Sequence, residues 1–389
     1  MTRWLYSIIL HNFYIGIKVT EEGMLTAILI SVWMNHSYDQ FVGLAGLPRA
    51  GGTLLSAILS QNPAIYASGH SPVCEMGWSI YTAYRERCLR EFNAHQKDHL
   101  LPKIIRSMAH TYYMDAFPVD TSGNPPPPVP TRRIVVDRCR SWTNGCNLQM
   151  CQSAIDPNIK VIVMTRPLEE VVTSYARLFS KNTMGAALDQ VLPQLLQNGS
   201  EPVCRAWEGV QWAQHQARSP FVDASNSVPN PYYNTFIFVS YDELVNQPQA
   251  TLERIYTHCG WEPFTHDFEN VVSKYPEDEK VNGLIGQFVV YPQVARQVYP
   301  EPIQLSEEVL KRIREIEPGP ETQVETEPET ETESALVTRV ETEPETDTNI
   351  EFVPVPELPT PPDSDDETEE THIAEVEPPS PPTTLVLNI

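Results

Sequence analysis

Phe41-Val42-Gly43-Leu44-Ala45-Gly46-Leu47-Pro48-Arg49-Ala50-Gly51-Gly52-Thr53-Leu54-Leu55-Ser56-Ala57-Ile58-Leu59 reads as a buried strand, a tight Gly/Pro loop and the first turns of an apolar helix. Backbone N–H groups of such a loop, with the unpaired N–H groups and positive dipole end of the helix, form a concave cage for an anion. The spacing Gly46-x4-Gly51-x-Thr53 fits the P-loop pattern except at Gly52, which stands in the slot of the Lys. That Lys reaches the β- and γ-phosphates of a nucleoside triphosphate, so its loss argues against an ordinary ATPase or GTPase. A cation is still present inside the loop: Arg49 can fork onto one phosphate or sulfate group.

The run Leu47-Pro48-Arg49-Ala50-Gly51-Gly52-Thr53-Leu54 resembles the 5′-phosphosulfate-binding loop of sulfotransferases that use 3′-phosphoadenosine 5′-phosphosulfate, whose usual form is Pro-x-Arg/Lys-Ser-Gly-Ser/Thr-Thr-x-Leu. The resemblance implies that Arg49, Ala50, Gly51, Gly52, Thr53 and Leu54 cradle the donor, with Arg49 also acting in catalysis. Ala50 and Gly52 depart from the pattern, each replacing a hydroxyl residue by one without. Each lost charge-assisted hydrogen bond is worth about 1–3 kcal/mol, so weakened activity is one expectation.

Outward from this stretch the chain alternates strands and helices. Ala64 to Ala67 reads as a short second strand, leading to a polar turn at Ser68-Gly69-His70-Ser71-Pro72. Glu75 to Asn93 and His95 to Phe117 read as helices, the first with an apolar stripe at Met76, Ile80, Tyr84 and Cys88. After the proline-rich connection 118–131 come β-branched runs at 133–137, 159–165 and 236–240, typical of buried parallel strands. The fold class is therefore α/β: one three-layer domain over 38–317 around a central parallel sheet, matching the P-loop NTPase-like architecture that the resemblance implies.

The strand at 159–165 runs through Arg166-Pro167 into a helix on which Ser174 follows Arg166 by eight residues, two turns on. A strand, Arg and then Ser at this spacing resembles the 3′-phosphate-binding motif of sulfotransferases, which implies that Arg166 and Ser174 hold that phosphate. The strand at 236–240, followed by Tyr241-x-x-Leu244 and a Pro-started helix closed by Gly260, resembles the same family. Residues 265–302 are weakly patterned, and a loop of that length in a compact domain calls for a function. Related enzymes lay such a segment over the nucleotide, which implies a lid.

Sulfuryl transfer needs a base for the acceptor hydroxyl and cations for the leaving oxygen. His70, in the turn after the second strand, is the favoured base and Glu75 the alternative; an imidazole of ordinary pKa near 6.5 accepts a proton at neutral pH. Arg138 and Arg140, at the end of the strand at 133–137, are alternative cations for the sulfuryl group. The acceptor carries a hydroxyl on a glycan, tyrosine, lipid or small molecule. No metal is expected, because the triphosphate that Mg²⁺ neutralises is absent from such a donor. A catalytically weakened nucleotide-binding scaffold is a second reading and a P-loop small-molecule kinase a third.

The chain has 389 residues and a net charge of −24. Residues 318–389 hold 20 acidic residues and one basic residue, Arg339, which leaves −5 for everything before them. This Pro/Glu/Thr-rich stretch repeats Val-Glu-Thr-Glu-Pro-Glu-Thr at 324–330 and 340–346, and such composition predicts a disordered acidic tail. Seven cysteines without a CxxC pair or a His cluster fit reduced thiols better than a metal site. In residues 1–37 the apolar runs Trp4 to Ile17 and Met24 to Met34 fall short of the roughly 20 residues a membrane span needs. An N-terminal extension on a cytoplasmic protein is expected, with a signal-anchor in the secretory pathway as the alternative; no nucleic-acid or membrane partner is expected.

Overall fold

The computed structural model describes residues 37–117, 132–182, 188–199, 202–222, 228–279, 284–299 and 301–317. The N-terminal extension up to residue 36, the prolyl connection 118–131 and the acidic tail expected from the sequence lie outside these residues.

Five strands, β1 (Gln40–Gly46), β2 (Ile65–His70), β3 (Ile134–Arg138), β4 (Lys160–Thr165) and β5 (Phe236–Ser240), form one parallel sheet in the order β2-β3-β1-β4-β5. Every residue of β1 is buried, as expected of a strand covered on both faces. The chain leaves β1 to build β2 and β3 on one side, then crosses back to build β4 and β5 on the other. The connections therefore part at the C-terminal end of β1, where an open parallel sheet leaves a crevice for ligands.

The β-branched and aliphatic side chains of the strands meet the apolar faces of the helices. These are α1 (Gly52–Leu59), α2 (Val73–Ala83), α3 (Leu89–Ala94), α4 (Leu101–Tyr112), α5 (Gly145–Ala154), α6 (Leu168–Asn182), α7 (Leu188–Leu195), α8 (Cys204–Ala217), α9 (Tyr241–Asn246), α10 (Pro248–Cys259) and α11 (Glu307–Ile316). Phe41, Trp142 and Tyr113 pack edge to face at the centre of this core. Beside them the wholly buried Asp137 accepts from Trp142 Nε1 at 2.7 Å, Ser71 Oγ at 2.6 Å and Tyr113 Oη at 2.6 Å. These three donors offset the cost of a buried carboxylate and tie β3 to the turn after β2. The first two residues of α9 and α11 follow serine caps: Ser240 forms a full capping box with Glu243, and Ser306 Oγ accepts from Val309 N. Gly260 ends α10 at φ 66°, as its position in the sequence predicts.

Two expectations are corrected. Strand β2 does not stop at Ala67 but continues to His70, after a register irregularity that re-aims its last residues. On α2 the buried face is Val73, Cys74 and Gly77, whereas Met76 is exposed and a π-helical turn at Tyr84–Cys88 carries no buried residue. The helix begins right after Pro72, two residues earlier than expected, and Val73, Cys74 and Gly77 make one face a turn apart; bare Gly77 lets Met150 approach within 2.9 Å of where a Cβ would sit.

Candidate active site

The loop between β1 and α1 closes at the sheet's crevice. Its first amide, Leu47 N, donates to Met164 O on β4 at 2.9 Å, and Ala50 N turns back to Leu47 O at 3.4 Å. Arg49 (φ 61°) and Gly51 (φ 93°) both take left-handed backbone. For Gly51 this is cheap, and a Cβ there would lie 2.9 Å from the Tyr241 ring. For Arg49 it costs about 1–2 kcal/mol, the kind of local strain that clusters at ligand sites. Helix α1 starts with no side-chain cap and no acidic residue in its first turn. Its first amides, those of Gly52, Thr53 and Leu54, have no intrahelical acceptor, and the three residues line the crevice. The positive end of a helix dipole with free N–H groups is what an anion needs.

Arg166, just after β4, fixes this loop. Its NH1 donates to Arg49 O at 2.8 Å, its Nε to Glu170 Oε2 at 3.0 Å, and its guanidinium stacks 4.2 Å from the centroid of the Tyr241 ring. Arg49 Nε donates to Ser174 Oγ at 3.1 Å and Arg49 NH1 to Gln287 O. The guanidinium of Arg49 thus belongs with Ser174, and the two anion cages read from the sequence are one continuous surface rather than two separate sites.

At the opposite end, strand register sets His70, the last residue of β2, beside Arg138, the last residue of β3. Both meet one carboxylate: Glu277 Oε2 lies 2.9 Å from His70 Nδ1, and Glu277 Oε1 accepts from Arg138 NH1 at 2.9 Å. Burial first and then the Arg138 charge hold the His70 imidazole below its ordinary range, against the opposing pull of Glu277. His70 is therefore neutral at pH 7. Burial likewise lowers Arg138 and Arg49, yet guanidinium groups stay charged, so both are desolvated cations.

Among the sequence-predicted residues, Arg49, Gly51, Gly52, Thr53, Leu54, His70, Arg138, Arg140, Arg166 and Ser174 line a single cleft. Two do not join it. Ala50 is wholly buried in the core and its N–H is turned to Leu47 O, because the left-handed step at Arg49 points the next side chain inward. Glu75 sits on the outer face of α2, where its carboxylate accepts from Cys139 Sγ at 2.9 Å and Ser141 Oγ at 3.4 Å.

Sequence reasoning missed Arg177, Lys181, Tyr241 and Arg296, all in the cleft wall. A signal existed for two of them: Arg177 and Lys181 follow Ser174 by three and seven residues on the same helix and so share its face. Counted together, six arginines and one lysine line the cleft, with Arg138 paired to Glu277 and Arg166 and Arg296 to Glu170 at its margin. In a chain of net charge −24 this is a strong local inversion. The weakly patterned segment forms the far wall: Gly286 to Tyr291 run past the loop, Phe288 lies 5.9 Å from the Arg138 guanidinium, and Tyr299 lies under Arg177 at 4.3 Å. Glu279 accepts from the Gly286 and Phe288 amides and so shapes the segment's turn. Among the described residues no group of three or more His, Cys, Asp or Glu side chains is arranged to hold a metal ion.

A family model described as the sulfotransferase family matches residues 42–266, from β1 to just past α10. The chain belongs to the sulfotransferase family. Its fold is similar to the sulfotransferase domain of the Synechococcus PCC 7002 olefin synthase, 14% identical, covering 72% of this chain and 94% of that one at a TM-score of 0.38. It is also similar to the sulfotransferase domain of the curacin biosynthetic pathway, 14% identical, covering 71% and 95% at a TM-score of 0.37. For the sulfotransferase STF9 from Mycobacterium avium the figures are 14%, 62%, 69% and 0.28. Comparison with curated proteins finds no match. This sulfotransferase places its loop, Arg138, Arg166 and His70 at the C-terminal edge of the sheet, within the matched region.

Proposed function

We propose that this sulfotransferase transfers a sulfuryl group from 3′-phosphoadenosine 5′-phosphosulfate to an acceptor hydroxyl. The observation that carries the reading is the cleft itself: six arginines and one lysine in its wall, built on a left-handed loop and the bare N-terminus of α1. Desolvated Arg49 donates to the neutral Ser174 Oγ and Gln287 O, and a buried guanidinium gains most from an anion; a donor with a 5′-phosphosulfate and a 3′-phosphate supplies one at each end.

The residues fit such a donor. The amides of Gly52, Thr53 and Leu54 and the Thr53 hydroxyl suit the 5′ end, while Arg49, Arg166 and Ser174, joined by hydrogen bonds, suit the 3′-phosphate, with Arg177 and Lys181 adding charge beside them. When bound, the donor provides the sulfuryl group and a phosphate that leaves. The protein's part is to hold both anions, keep water out beneath the segment Gly286–Tyr291, and move one proton. Neutral His70 takes the proton of the acceptor hydroxyl, and Arg138 neutralises charge on the sulfuryl oxygens or the leaving phosphate. Glu75, engaged by Cys139 Sγ and Ser141 Oγ and not among the residues that line the cleft, is the less favoured base. The acceptor is a hydroxyl compound whose identity rests on the rim of the cleft, where Phe288, Val289 and Tyr291 present apolar surface.

Radiolabelled donor, offered with a panel of glycans, tyrosine peptides and lipids, tests this directly. Label transfer that is lost in His70→Ala supports it. Tight binding of 3′-phosphoadenosine 5′-phosphate with no transfer to any acceptor would favour the weakened scaffold, and Mg-ATP turnover the kinase.

A further inference from the structure

Glu277 lies in the irregular segment after α10, 207 residues from His70 in the chain, yet its carboxylate enters the cleft's edge and touches two of the residues just assigned to chemistry. The entry is built. Its side chain is only 14% exposed. It passes so close to β2 that a Cβ on residue 69 would come within 2.2 Å of Glu277 Cγ, and residue 69 is glycine. One oxygen takes a hydrogen bond from Arg138 NH1 and the other lies 2.9 Å from His70 Nδ1.

We propose that Glu277 is the positioning residue of this active site: it holds His70 in the tautomer protonated at Nδ1, which leaves the Nε2 lone pair as the base, and it clamps Arg138 at the same time. This rests on the sulfuryl-transfer reading only for what His70 does with the proton.

The chemistry follows from the donor inventory. An ionised carboxylate only accepts, so the Nδ1 that meets it carries the proton, and in a neutral ring Nε2 is then bare. A free imidazole has no such constraint. In the transfer step the acceptor O–H bond breaks as the Nε2–H bond forms, and the oxygen's electron pair goes to sulfur. The leaving phosphate keeps the pair of the bond it loses. His70 becomes an imidazolium whose Nδ1–H faces the Glu277 carboxylate, a charge-assisted pair that stabilises it as it forms. The other charged groups facing His70 are Arg138 and Arg140, and the Phe288 ring packs at 5.8 Å. Both arginines disfavour the imidazolium, so Glu277 is the one counterweight to them around this ring among the described residues. Burial raises the Glu277 carboxyl, but the His70 hydrogen bond and the Arg138 charge outweigh it and leave the group ionised.

The test is nitrogen NMR of the full chain with ¹⁵N-labelled histidine, His70→Asn assigning the signal, on wild type, Glu277→Gln and Glu277→Ala. Neutral His70 is expected to show the Nδ1–H pattern in wild type and to revert to the commoner Nε2–H form in Glu277→Ala, with its pKa displaced downward in both variants. A wild-type ring protonated at Nε2, or a tautomer and pKa unmoved by both substitutions, would overturn the proposal. If an acceptor supports turnover, kcat falls about 10- to 100-fold in Glu277→Ala and its acid limb moves, with donor affinity changed much less. If no acceptor supports turnover while the NMR result stands, the sulfuryl-transfer reading fails and the placement of the proton by Glu277 does not.

Discussion

At the scale of single residues, the two hydroxyls absent from the loop are not equivalent. Position 52 opens on the cleft, and a Cβ there would meet nothing nearer than Arg138 Nε at 3.4 Å. Position 50 is sealed in the core. Gly52→Ser is therefore expected to tighten binding of 3′-phosphoadenosine 5′-phosphate about 3- to 10-fold by titration, the yield of one added hydrogen bond to an anion. Ala50→Ser should not tighten it, and should lower stability by about 1–3 kcal/mol by burying a hydroxyl. The backbone at 51 gives a second contrast. Gly51→Ala forces a side chain into left-handed geometry and against Tyr241; chemical denaturation should show a loss of about 2–4 kcal/mol. An unchanged midpoint would mean that the loop relaxes freely.

At the scale of elements, the segment 284–299 is held by a small ion cluster. Arg296 NH2 reaches Glu170 Oε1 at 3.0 Å and Asp242 Oδ1 at 2.6 Å, and Glu170 also accepts from Arg166. The segment is thereby tied to α6, which carries Ser174, and to α9. Each of these pairs is partly exposed and worth little alone, so Arg296→Ala should leave the melting temperature almost unchanged. It should speed amide exchange across 284–299 and raise the nucleotide's dissociation rate several-fold; equal exchange in both proteins would remove the latch. Strands and helices with strong local signals were legible in the sequence. Phe236–Ser240 and Pro248–Cys259 agree with the structure to the residue, because β-branched runs, Pro at a helix start and Gly at its end act locally. The segment after α10 was legible only as a gap in the pattern. Its shape depends on contacts such as Val271 N to Pro292 O at 2.7 Å and Val294 N to Phe268 O at 2.8 Å, which no local signal encodes.

At the scale of the whole molecule, three histidines, His266 buried, His258 half-buried and His70 at the cleft's edge, make the fold sensitive to acid. Burial lowers the imidazoles of His70, His258 and His266, so the unfolded chain binds protons that the folded chain refuses. Stability is then complete above the unfolded value near 6.5 and is lost as pH falls through and below it. Thermal unfolding should shift down between pH 7.5 and 5.5, and His266→Gln, which keeps a partner for Tyr256 Oη, should flatten that slope. Identical slopes would place the acid sensitivity elsewhere.

Part of the candidate site could be named from the sequence. Arg49, Arg166, Ser174, His70 and Arg138 come from motifs at strand ends, where a parallel sheet gathers its ligand contacts. Glu277 and Arg296 had no motif and reach the cleft only through tertiary folding. The central claim is that this gathering of cations binds a nucleotide with two anionic ends. Calorimetric titration with 3′-phosphoadenosine 5′-phosphate tests it most directly. Saturable one-to-one binding is predicted, undisturbed by excess Mg-ATP and weakened about 10-fold or more in both Arg49→Ala and Arg166→Ala. Absence of binding in the wild-type protein, or equal affinity in all three, would contradict it.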